Sequence, residues 1–597
     1  MSSLILDNVP DVPPTDSKIW GYGPLLETLQ LSKLFKDSKT FVDLKLIRSE
    51  EDILVDFQHL SFPPKQDDLL AFLERNFDLT PGLEFEEWNP PDWVPKPAYL
   101  DQLHEKPLIY VGMQVNKLWN TLSRRCSAEL KKTPELFSKI DLPHGFIMPG
   151  GRFREIYYWD TYWIIRGLLI SDMDVTVRGI LENFIHQIKL FGHIPNGTRK
   201  YYERRSQPPY LISMVSKYLE KTNDKTFLSQ NLEHLEKELK FFETHRTILY
   251  KWKGQNYRLF HYGADCRGPR PESYVEDLEI GTMLFKTLNE REEFYLQMKA
   301  AAESGWDFSS RWFIDPNGNN MGTLADAKTT YIAPVDLNAL MFKNYNQMAC
   351  FYDLIGDTKR ANEHVLKARE MMKAMCYVFW DAVDHIWYDI DMLNHKHRKF
   401  FYASNLFPLW AEAYPKRVAI EIGECAVDYL LNTGVTEHKG GIPASTQHTR
   451  QQWDWNAWPP IQHFIVAGLN KTKNLRAQQL AFKIAKNYVS GTIASCNVIG
   501  GICGFFEKYD PLRPGVAGGG GEYEVQKGFG WTNGVLVDFI AIYGDDLLQR
   551  DTYTPKESGK VYGITKKLGY KANTDLFSCD TASDEVLNLQ FKSTTFE

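Results

Sequence analysis

Carboxylates recur in this chain beside tryptophan, arginine and glycine, in segments too irregular for helix. Pro149-Gly-Gly-Arg-Phe-Arg-Glu-Ile-Tyr-Tyr-Trp-Asp-Thr-Tyr162 is the longest. Pro195-Asn-Gly-Thr-Arg199 runs into a stretch holding Arg205 and Gln207, and Gly268-Pro-Arg-Pro-Glu-Ser273 follows. Then come Glu303-Ser-Gly-Trp-Asp-Phe-Ser-Ser-Arg-Trp312, Gln452-Trp-Asp-Trp-Asn-Ala-Trp-Pro-Pro460 and Phe506-Glu-Lys-Tyr-Asp510. Gly518-Gly-Gly-Gly-Glu-Tyr523 and Gly528-Phe-Gly-Trp-Thr-Asn-Gly534 complete the set. Indole and phenol rings offer flat apolar faces, and Arg, Asn, Gln and carboxylates match vicinal hydroxyls. The chain has no phosphate loop, no His-based metal cluster and no Gly-x-Ser-x-Gly elbow. Carboxylates remain as acid and base, and two suffice to hydrolyse a glycosidic bond. Taken singly, each cluster has a plainer reading: Asp307 as a helix cap, the glycine run as a linker, Arg270 with Glu272 as a surface ion pair. Their joint occurrence between helix-like segments favours a polar pocket.

The elements that must hold these loops are helices. Helical spacing runs over Leu108–Leu130, then 158–172, 174–191, 208–221, 226–246, 276–302, 333–356, 358–380, 404–414, 417–433, 457–470, 473–490 and 530–545. Short polar turns such as Leu354-Ile-Gly-Asp-Thr358 and Asn470-Lys-Thr-Lys473 join consecutive members with ordinary cap chemistry. Strand-like alternation is sparse, with Trp387–Met392 as one candidate. Sequential helix pairs without a fixed repeat period predict an all-α chain folded as a closed (α/α) toroid rather than a solenoid. Such a ring gathers its loops at one end, where function usually sits. Residues 1–105 read as an irregular, Pro-rich arm packed on the body, 106–546 as the barrel, and 547–597 as a tail.

Composition narrows the partners. The chain has 597 residues, 43% hydrophobic and 24% charged, with a formal net charge of -7. That mild acidic excess argues against nucleic acid or anionic lipid. No continuous apolar stretch reaches the length of a membrane span, and neither end reads as an anchor. The first twenty residues lack a basic and apolar leader pattern, which favours a cytoplasmic protein; a trimmed leader on a secreted one would leave the same text. The 8 cysteines form no Cys-x-x-Cys pair, so buried free thiols are expected. Oligomeric state is not legible.

Pro149 to Tyr162 resembles the first trehalase signature at every specified position, and the blocks at 303–312, 518–523 and 528–534 are similar to trehalase blocks too. The resemblance extends from about Phe41 to Gly544. It implies an (α/α)6 barrel that hydrolyses α,α-trehalose to two glucoses with inversion and needs no metal or organic cofactor. The family's general acid falls on Asp307 and its general base on Glu507. Substrate-binding positions fall on Arg152, Phe153, Trp159, Asp160, Asn196, Arg205, Gln207, Arg270, Glu272, Trp453 and Glu522, and the glycine run before Glu522 looks like a lid. Glu507 also sits in a segment without glycine, as a base held in place requires, whereas Glu522 ends four glycines. One departure is visible: the second signature, Gln452 to Pro460, lacks its usual proline and is one residue short. A glucoamylase-like toroid would use the same pair of carboxylates. A non-catalytic sugar-binding scaffold would be expected to lack one of them.

Overall fold

The computed structural model describes residues 6–498, 503–521 and 523–552. The ring is built from six helices: α6 (Asp160–Ile170), α8 (Leu211–Thr222), α12 (Val335–Leu354), α14 (Phe407–Ala411), α16 (Pro459–Lys471) and α18 (Gly530–Tyr543). Each packs on the next, and α18 closes back on α6. Outside them lie α5 (Lys106–Thr121), α7 (Asp174–Phe191), α9 (Lys225–His245), α13 (Thr358–Ala374), α15 (Ala419–Asn432) and α17 (Leu475–Val498). The (α/α)6 toroid expected from the sequence is the observed fold.

The sequences of the two rings explain their places. In α6 and α18 nearly every residue is buried, as suits a helix packed on all sides. The outer α13 carries a single apolar stripe of Ala361, Val365, Ala368 and Met371. Closure between α6 and α18 requires glycine: a Cβ at Gly534 would lie 2.0 Å from the Trp163 carbonyl oxygen. The Asp357 carboxylate caps α13 by accepting from the Arg360 amide at 3.0 Å.

Several helical expectations need correction. Residues 276–302 are two helices, α10 (Tyr274–Leu284) and α11 (Leu288–Ser304), because Thr287 and Glu290 form a reciprocal capping box that starts a new one. The segment expected to run to Leu130 ends at Thr121 and continues as strand Ser123–Cys126. The one expected over 358–380 leaves α-geometry after Ala374 for a π-turn, Met375–Phe379. Trp387–Met392 contributes to two separate short strands, Ile386–Trp387 and Ile390–Asp391. A hairpin, Thr247–Trp252 with Gln255–Phe260, turns through Lys253 and Gly254, both at positive φ.

The N-terminal hundred residues are not irregular. Among the described residues four short helices stand there: α1 (Pro24–Leu31), α2 (Ser38–Val42), α3 (Glu50–Gln58) and α4 (Gln66–Asn76). Asp37 caps α2 through the Thr40 amide at 2.9 Å, and Ser49 caps α3 through the Asp52 amide at 3.2 Å. Trp20, Phe41 and Phe72 form a separate apolar cluster with Tyr157, Tyr201 and Tyr274 of the body. Cys496 and Cys503 are joined in a disulfide, contrary to the expectation of free thiols, while Cys126 and Cys266 are buried and free. Among the described residues no helix is long and apolar enough to cross a membrane. Most of the tail expected at 547–597 lies outside the described residues.

Candidate active site

At one end of the ring a cavity of about 110 Å³ opens to solvent. Asp307 and Glu507 both line it. So do Arg152, Phe153, Trp159, Asp160, Asn196 and Arg205 on the N-terminal side, and Gln207, Arg270, Glu272 and Trp453 beyond them. Glu522 lies outside the described residues, although the glycines before it and Tyr523 after it are described.

The floor is aromatic. Trp453 stacks between Trp306, at 5.0 Å between ring centroids, and Trp458, at 3.9 Å. Trp159 leans on Trp453 at 5.6 Å. Glycine at 305 lets the chain pass this point: it terminates α11 at φ 75, and a Cβ would sit 2.6 Å from the Trp159 ring. Asp307 follows two residues later, and the Phe308 carbonyl accepts from the Trp453 amide at 2.9 Å. The segment that carries Asp307 is thereby tied to the aromatic floor.

Glu507 is held at both ends. Its amide donates to the Gln526 carbonyl at 2.9 Å, and its own carbonyl accepts from Trp531 Nε1 at 2.9 Å. Its carboxylate accepts from the Tyr523 hydroxyl at 2.7 Å. Burial pushes the Glu507 carboxyl above its usual range, against the neighbouring Lys508 ammonium and the Tyr523 hydroxyl, which pull it down. Burial pushes Lys508 down to about 8. Asp160, at the N-terminus of α6, is raised well above the usual carboxylate range by burial first, then by the charges of Glu507 and Asp307. Burial and the charges of its two neighbours favour the protonated form of Asp160.

Arginines line the remaining wall. Arg205 Nη2 donates to Glu272 Oε1 at 2.5 Å, while Arg205 Nε and Glu272 Oε2 are buried without a partner. A donor and an acceptor thus stand ready for hydroxyls. Arg270 does not pair with Glu272 in a surface ion pair. It is buried and grips Asp277 through Nε at 3.0 Å and Nη2 at 2.7 Å. Arg152 lies over the Tyr523 ring at 4.8 Å. Behind the wall, Glu155 of the same signature takes Lys39 Nζ at 2.8 Å and Tyr157 OH at 2.7 Å, fixing the arm to the body.

The shortened second signature resolves into two roles. Gln452 lines the cavity and donates to the Tyr523 hydroxyl at 2.6 Å. Asp454 turns away and accepts from Ser309, Ser310 and Ser445. Trp455 stands at φ 52, in the left-handed region. The glycine run is pinned rather than loose: Asn456 Nδ2 donates to the Gly519 carbonyl at 2.7 Å and Lys508 Nζ to that of Gly520 at 3.0 Å. Sequence reasoning missed Tyr523, Tyr157, Tyr202, Trp458 and Trp531 as cavity residues. Tyr157 and Tyr523 stand inside the clusters already singled out, which was the available signal.

A helical barrel with paired carboxylates, an aromatic floor and unpartnered hydroxyl-binding groups defines a glycoside hydrolase. A sequence model of the trehalase family matches residues 33–544. The chain is 42% identical to the trehalase of Apis mellifera over 546 residues, 90% of this chain and 86% of that protein. It is 41% identical to the trehalase of Homo sapiens over 542 residues, 90% of this chain and 91% of that one. The neutral trehalase of Saccharomyces cerevisiae superposes with a TM-score of 0.51 at 24% identity, over 66% of this chain and 73% of that one. The chain belongs to the trehalase family.

Proposed function

We propose that this enzyme hydrolyses α,α-trehalose to two glucoses with inversion, Asp307 acting as general acid and Glu507 as general base. The observation that carries the assignment of the base is the anchoring of Glu507: both its backbone groups and its carboxylate are held, and burial makes it a stronger base than an exposed glutamate. Asp307 faces the same cavity from the end of α11. Its proton passes to the oxygen between the two anomeric carbons as that bond breaks. Glu507 takes a proton from the water that attacks the freed anomeric carbon from the opposite face.

Both halves of trehalose are fully hydroxylated pyranoses, and the cavity supports that substrate. Arg205 and Glu272 offer unpartnered polar atoms to hydroxyls, and Trp159 borders the cavity with apolar surface. In the protonated form that burial favours, Asp160 donates to a hydroxyl rather than repelling it. The direct test is glucose release from trehalose set against maltose. A strong preference for trehalose supports the reading, and equal or better turnover of maltose points to the glucoamylase-like alternative.

A further inference from the structure

A second cleft, of about 660 Å³, opens between the 247–260 hairpin and the strands that follow α13. Lys253, Lys396, His397, Arg398 and Lys399 line it, with Asp381 as the lone acid among its lining residues. None of them lines the catalytic cavity. Asp381 is already engaged: it takes Lys399 Nζ at 2.7 Å and His397 Nδ1 at 3.1 Å. Lys253 and Lys396 form no ion pair among the described residues. The wall therefore keeps an excess of positive charge.

Arg398 makes the excess specific. It is 1% exposed, yet its guanidinium makes a single hydrogen bond, from Nη2 to the Phe313 carbonyl at 2.7 Å. Nε and Nη1 are buried without a partner. Leaving a buried charged donor unsatisfied is costly, and such groups are characteristically completed by a ligand or water. Beside it the cleft is walled by the indoles of Trp252 and Trp380 and the ring of Phe400. Fixed cations select an oxyanion, and flat apolar faces select a ring.

We propose that this cleft is a binding site for a phosphorylated monosaccharide, its phosphate taken by Arg398 with Lys396 and Lys253 and its ring laid against the indole wall. The test is isothermal titration of the full chain with glucose 6-phosphate and, separately, inorganic phosphate, in the presence of excess glucose to fill the catalytic cavity. Saturable binding of one glucose 6-phosphate per chain is expected, tighter than inorganic phosphate. The paired substitution Lys253→Gln with Lys396→Gln should weaken it at least about tenfold, as loss of charge-assisted contacts does, with trehalose turnover unchanged. Arg398→Met should abolish binding; should that variant not fold, the exposed lysine pair decides. No saturable heat, binding removed by glucose, indifference to the lysine substitutions, or equal affinity for inorganic phosphate would each overturn the proposal.

Discussion

The Tyr523 hydroxyl donates to Glu507 Oε1 at 2.7 Å and in turn accepts from Gln452 Nε2 at 2.6 Å. One phenol thus joins the glycine-run loop, the shortened second signature and Glu507. Its hydrogen bond favours the ionised carboxylate and partly opposes the upward push of burial. Tyr523→Phe should therefore raise the Glu507 pKa further. A base works only when ionised, so the acidic limb of the kcat/KM profile should move to higher pH, with kcat at its optimum lower by about tenfold. An unmoved limb would separate Tyr523 from the base.

Arg205→Lys keeps the charge and removes both the fork toward Glu272 and the unpartnered Nε donor. We expect kcat/KM for trehalose to fall at least about a hundredfold, the scale of losing charged hydrogen bonds to substrate. The equivalent change at Arg270 should also lower the melting temperature, because it disrupts a buried bidentate pair with Asp277. Near-normal activity of the Arg205 variant would mean that substrate does not use this wall.

Glu155 governs acid stability. Burial raises its carboxyl, but the Lys39 and Arg199 charges outweigh burial and hold it down at about 2. A group depressed in the folded state stabilises fully above its unfolded pKa and loses that contribution as pH falls toward the folded value. Glu155→Gln should cost about 3 kcal/mol at neutral pH. The gap from the native protein should narrow as pH falls from about 4.5 toward 2, which thermal melts across that range can follow. A gap independent of pH would contradict the assignment.

Gly305→Ala places a methyl 2.6 Å from the Trp159 ring at a positive φ. Backbone strain alone costs about 1 kcal/mol, and Trp159 must shift out of the floor. KM for trehalose should rise severalfold, with tryptophan fluorescence altered. Unchanged KM and fluorescence would show that the floor does not depend on this glycine.

Much of this was legible in advance because the loop clusters combine rare residue types at fixed spacing, and helix pairs are set by local periodicity. What was not legible depends on distant partners. Arg270 looked tied to Glu272 two residues away, whereas it grips Asp277, in the first turn of α10. Cys496 and Cys503 carry no motif and meet only because α17 ends between them. The break at Thr287 was readable as a capping box but was masked by helix formers on either side. The arm's helices were hidden by its prolines, although Asp37 and Ser49 already mark their starts.

Inversion by Asp307 and Glu507 is the central claim, and the anomeric form of the first glucose released tests it most directly. Inversion across an intervening water goes with carboxyl groups about 6.5–9.5 Å apart. Proton NMR at early time, before mutarotation mixes the forms, should give α- and β-glucose in equal amounts, one from each half of trehalose. Release of α-glucose alone would mean retention and would contradict the account.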